Sequence, residues 1–100
     1  MILYISTYER EGNDSWLSDR VILHYDDMGL YVYHRWEHNG WQGNDKGSYT
    51  LDLDSDDLEK SQKKLDAYID DNSLQREFPN GESEGIFINL NELIESNSIL

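Results

Sequence analysis

Val21-Ile22-Leu23-His24-Tyr25-Asp26-Asp27-Met28-Gly29-Leu30-Tyr31-Val32-Tyr33-His34-Arg35-Trp36-Glu37 decides how the rest of the chain is read. Two β-rich runs, Val21 to Tyr25 and Leu30 to Glu37, flank a short polar loop ending in a glycine, which is free to take positive φ. That pattern predicts a hairpin. In its second strand Leu30, Val32, His34 and Trp36 share one face, and Tyr31, Tyr33, Arg35 and Glu37 share the other.

The flanking segments extend the sheet. Ile2 to Glu9 reads as a strand with Leu3, Ile5 and Thr7 facing one way and Tyr4, Ser6 and Tyr8 the other. Glu11-Gly12-Asn13-Asp14-Ser15 reads as a turn, and His38 to Gly47, with three glycines and no periodicity, as a loop. Ser48 to Leu53 alternates again. Beyond it the pattern turns helical. Asp54 or Ser55 is placed to cap a helix whose first turn carries Asp56, Asp57 and Glu59, as the helix dipole favours. Leu58, Gln62, Leu65, Tyr68 and Ile69 form its stripe out to Asp71. Asn72 to Glu84 reads as loop, and Ile86-Phe87-Ile88 as a buried central strand. Asn89, with Glu92 three residues on, opens a last short helix through Leu90, Leu93 and Ile94. The expected fold class is α+β. An antiparallel β-meander carries one main helix and a short C-terminal helix on one face, in a single domain over residues 1–100.

Charge narrows the functions. In 100 residues, 21 acids against 8 bases leave a formal net charge of −13, which repels nucleic-acid backbones and anionic membranes and attracts a basic partner. Leu, Ile, Val and Phe number 24, above the roughly 20% below which highly charged chains stay unfolded. No cysteine is present, so thiol chemistry and disulfides are excluded. The start Met1-Ile2-Leu3-Tyr4-Ile5 lacks a basic leader, and no apolar run approaches the roughly 20 residues of a spanning helix. The expected compartment is the cytoplasm.

Sequence motifs for chemistry fail on inspection. Asp52-Leu53-Asp54-Ser55-Asp56-Asp57 begins like a calcium loop, but the positions that demand Gly and a bidentate Glu hold Asp57 and Lys63. His34 and His38 are four residues apart on a strand, about 13 Å along it, and no third metal ligand is signposted. No nucleophile elbow or phosphate-binding glycine loop occurs. No catalytic residue, metal or cofactor is expected.

The aromatics point to binding. Nine of the twelve lie between Tyr4 and Tyr49. Alternation assigns Leu3, Ile5, Leu23, Leu30, Val32 and Leu51 to the helix-covered face. It leaves Tyr4, Tyr8, Tyr31, Tyr33, Arg35, Asp52 and His24 on the outer one. Tyr, Trp and Arg dominate interface energetics. The expected partner-binding residues are Tyr4, Tyr8, Tyr33, Arg35, Asp52 and Asp54, with Asp26 and Asp27 of the hairpin loop. Trp41, in a glycine-rich loop, reads as a plug over the core or, alternatively, as an exposed anchor.

An acidic, cysteine-free chain with Met1-Ile2-Leu3-Tyr4-Ile5 at its start, an aromatic meander, and Gly85-Ile86-Phe87-Ile88-Asn89-Leu90 near its end resembles the immunity proteins of bacterial polymorphic-toxin and contact-dependent growth inhibition systems. The resemblance implies a cytoplasmic protein that binds one cognate toxin domain, often a nuclease, over its active site or an adjacent surface. It carries over no individual functional position. The alternative is a phage-type nucleic-acid mimic that inhibits a restriction or CRISPR enzyme. A mimic wants an evenly acidic surface, whereas here aromatic and basic residues interrupt the acids.

Overall fold

The computed structural model describes residues 1–98. β1 (Ile2–Glu11), β2 (Trp16–Asp26), β3 (Gly29–Gly40) and β4 (Gly43–Asp52) form an antiparallel meander in chain order. α1 (Leu58–Asp71) follows, then a small hairpin of β5 (Gln75–Glu77) and β6 (Ser83–Gly85), then α2 (Leu90–Ser96). The class is α+β, with both helices laid on one face of the meander. The smallest molecular extent, 20 Å, suits one sheet and one helical layer. Among the described residues no helix is long and apolar enough to cross a membrane.

The strands outrun their apolar patterns. His38 to Gly47 is not a loop, because β3 and β4 stay paired to Gly40 and Gly43 across a tight turn at Trp41 and Gln42. A ladder is a backbone property, so polar residues such as Asn39 and Asn44 pair as readily as apolar ones. Gly43, at φ +132°, supplies the left-handed residue that this turn needs. Trp41 is 80% exposed on the turn and plugs nothing.

The core lies between the sheet and the helices. Val21, Leu23, Leu30, Val32 and Leu51 meet Leu65 and Ile69 of α1 and Leu90 and Ile94 of α2. The cap of α1 is Asp57, which accepts from the Lys60 amide at 3.1 Å, in place of Asp54 or Ser55. Asn89 caps α2 as its spacing predicts, accepting from the Glu92 amide at 3.1 Å. Ser61, buried on α1, donates its hydroxyl to the Asp54 carbonyl and accepts from the Asp54 amide. The helix is thereby tied to the end of the sheet.

Ile86-Phe87-Ile88 does not join the sheet. It is extended chain with Ile86 and Ile88 buried and Phe87 exposed. Gln62 of α1 donates to the Ile88 carbonyl at 2.9 Å, and Gln75 donates to the Ile86 carbonyl at 3.0 Å. The Ile86 amide donates to the Leu74 carbonyl at 2.8 Å, and the two glutamines take the carbonyls that a ladder would have used. Gly85, just before, has φ +113°, and a Cβ there would lie 2.6 Å from Gln75 Cα and closer still to the Leu74 carbonyl oxygen. Backbone on that side cannot yield. Gly85→Ala is expected to cost about 1–3 kcal/mol, read as a lower urea midpoint. An unchanged midpoint would contradict the assignment.

Candidate interaction face

A β-bulge sets which residues reach the outer side of the sheet. The β1–β2 register shifts between Ile2 and Tyr4, so Leu3 and Tyr4 are both turned toward the helices. From there the alternation of β1 is reversed relative to the simple pattern. Tyr8 is buried at 7% exposure, its hydroxyl donating to Glu84 at 2.9 Å, while Ile5 is exposed. Tyr4 packs against the core. Tyr4 and Tyr8 therefore leave the outer face, contrary to expectation, and Ile5 joins it. One inserted residue flips every later side chain of a strand.

Cross-strand register places the outer face residue by residue. Its rows run Ile5, Ile22, Tyr33, Thr50, then Thr7, Arg20, Arg35, Ser48, then Glu9, Ser18, Glu37, Lys46. His24, Tyr31 and Asp52 make the row at the other side of Ile22. Tyr33, Arg35 and Asp52 are thus brought together as the alternation predicts. Arg20 escaped the sequence reading because the apolar run starts at Val21. Counting back by two from Ile22 would have found it.

The acids of the hairpin are partly committed. Asp26 accepts from the Tyr31 hydroxyl at 2.7 Å and from the Met28 amide at 2.8 Å. The Tyr31 hydrogen bond, with the Met28 amide, holds the Asp26 carboxyl below its usual range; the same bond raises Tyr31. Tyr31 in turn stacks on His24 with ring centroids 4.9 Å apart. Asp26 therefore braces the aromatic end of the face, and exposed Asp27 stays free at the turn. Asp54 sits past the sheet, where its carboxylate accepts from the Asp56 amide at 2.9 Å. That bond ties it into the approach to α1 while it remains exposed.

The inner face holds a buried polar cluster that no motif announced. Asp19 is 1% exposed. It lies opposite Trp36, and His34 and His38 flank Trp36 on the same face, so both rings lean diagonally onto one carboxylate. His34 Nε2 stands 2.8 Å from Asp19 Oδ1, and His38 Nε2 stands 3.0 Å from Oδ2. The two histidines are therefore not independent along the strand. Arg10 adds an ion pair to Asp19 and donates to the Ser73 carbonyl at 2.9 Å, tying β1 to the end of α1.

Burial pushes the Asp19 carboxyl up, but hydrogen bonds from His34 and His38 and the Arg10 charge outweigh it, and the net direction is down. An ionised carboxylate only accepts, so both Nε2–H groups donate to it. His34 Nδ1 lies 2.7 Å from the Tyr68 hydroxyl, within hydrogen-bond distance. Burial, with Tyr49 and Asp19 nearby, pushes Tyr68 up to about 12. Its hydroxyl stays protonated at neutral pH, which leaves it a poor nucleophile. Both imidazoles aim at the carboxylate instead of a shared vacant point, and among the described residues no group of three or more His, Asp or Glu could hold a metal ion.

The fold and the face define a sheet platform, with its core sealed behind and one side left open. Compared with known protein families, curated proteins and solved structures, the chain matches none.

Proposed function

We propose that this chain is a cytoplasmic immunity protein, a binder rather than an enzyme, that neutralises a cognate, net basic, nuclease-type toxin domain. It does so by laying the outer sheet face over the toxin's active site or substrate groove. The observation that carries the reading is that face itself. Tyr31, Tyr33, Ile22 and Ile5 present aromatic and apolar surface that no helix covers, beside exposed Arg20, Arg35 and Asp52. Rigid strands hold these groups at fixed spacing, which lowers the entropy cost of docking. The overall −13 charge speeds encounter with a basic partner. An arginine pair at the centre of the face is at odds with an evenly acidic phosphate mimic, so the toxin reading is favoured.

The test is rescue. If the reading frame immediately upstream encodes a large exoprotein, its C-terminal domain is expressed in a sensitive host with and without this chain; the absence of such a frame would count against the reading. Growth should stop without it and resume with it. Tyr33→Ala should weaken the purified complex about 30-fold, equivalent to about 2 kcal/mol at a central aromatic, with the circular dichroism spectrum unchanged. Failure of the native chain to rescue growth would reject the reading.

A further inference from the structure

Arg20 and Arg35 stand directly opposite each other on β2 and β3, both exposed, on the outer face. Like charges directly opposed on a sheet are destabilising. Among the described residues, neither guanidinium makes an ion pair with a carboxylate, although acids outnumber bases 21 to 8. The other bases on or near the sheet are committed, Arg10 to Asp19 and Lys46 to Glu37 at 3.4 Å. Beside Arg35 lies a depression of about 230 Å³ whose lining also includes Tyr33, Glu37, Lys46 and Ser48. With Glu37 and Lys46 paired to each other, Arg35 and its neighbour Arg20 leave this part of the face cationic in an otherwise acidic molecule.

We infer that the Arg20–Arg35 pair and this depression receive a carboxylate side chain, Asp or Glu, of the partner protein. The inference rests on the proposed docking face and sharpens its chemistry. Acids lie at both ends of the face, with Asp27 and Asp52 on one side of the arginine row and, on the other, Glu9 beside the Glu37–Lys46 pair. Negative, positive, negative on this face calls for positive, negative, positive on the partner. A nuclease domain offers that pattern, since its metal-binding carboxylates sit within a cationic phosphate groove. Guanidinium groups match a carboxylate bidentately and desolvate more readily than ammonium groups. The arginines would thus occupy the place of the catalytic cation while the acids stand where phosphates bind.

Glutarate is the probe in a nuclear magnetic resonance titration of the full chain at constant ionic strength. The Nε–Hε signals of Arg20 and Arg35 and the amides of Tyr33 and Ser48 should shift and saturate, with Arg76 unmoved. Arg35→Gln should abolish the shifts, and a 12-base DNA single strand should not reproduce them. Arg20→Gln should raise the melting temperature by roughly 2–4 °C as the repulsion is relieved, which separates lost binding from lost folding. No shift at the pair, equal shifts in Arg35→Gln, or equal shifts with DNA would overturn the inference. In the rescue assay, full protection by an Arg20→Gln/Arg35→Gln double variant would overturn it while leaving the immunity reading intact. Saturable glutarate binding in a chain that rescues nothing would do the reverse.

Discussion

Replacing Asp19 by Asn is expected to cost about 3 kcal/mol or more, because it strips the charge that holds Arg10, His34 and His38 in a buried cluster. The amide still presents one acceptor oxygen, yet its NH₂ group faces donors on every side. Arg10, only 22% exposed, then keeps its charge without a counterion. For a domain of about 100 residues the loss corresponds to roughly 12–20 °C in melting temperature. Thermal and urea denaturation of the two proteins measures it.

The pH dependence carries a sign. The Asp19 carboxyl is depressed below its ordinary 3.8 in the folded protein. Its contribution is therefore fully present above that value and drains away as pH falls from 3.8 through the lower folded value. Native protein should lose stability steeply in that window, and Asp19→Asn should show a flatter curve there. Parallel curves would mean that Asp19 carries no linked proton.

Leu65→Ala is expected to cost about 2–5 kcal/mol. Leu65 is fully buried, in the middle of α1 and within the cluster shared with the sheet and α2. A helix and a sheet pressed together from separate elements collapse only partly into the space left by three carbons, so a cavity remains. Lys63→Ala on the same helix provides the contrast. It removes only an exposed pair with Glu59 at 3.7 Å and should cost less than about 0.5 kcal/mol. Equal losses in the two variants would mean that α1 is not seated as described.

The two substitutions differ in how far the chain announces them. Leu65 follows from helical spacing with Leu58 and Ile69, and its burial needed no coordinates. Asp19 had no such signal. A charged residue ahead of an apolar run reads as solvated, and only cross-strand register places it opposite Trp36, between two histidines. The candidate face divides in the same way. Tyr33, Arg35 and Asp52 sit where period-2 alternation puts them. Tyr4 and Tyr8 do not, because the bulge at Leu3 leaves no mark in residue type. Ile86 and Ile88 read as a strand since an apolar run suits a buried strand, although one backbone bond to Leu74 and two glutamine side chains hold them in place of a sheet ladder.

By itself the sequence determined the class of fold, the meander and its central hairpin, both helices and the sign of the long-range field, since each follows from local spacing or from a sum over residues. Tertiary structure alone decided which way β1 faces, what Asp19 holds, and that Arg20 meets Arg35 at the centre of the open face. Those facts depend on pairing between strands, and pairing can shift by one residue at a bulge without changing a single side chain.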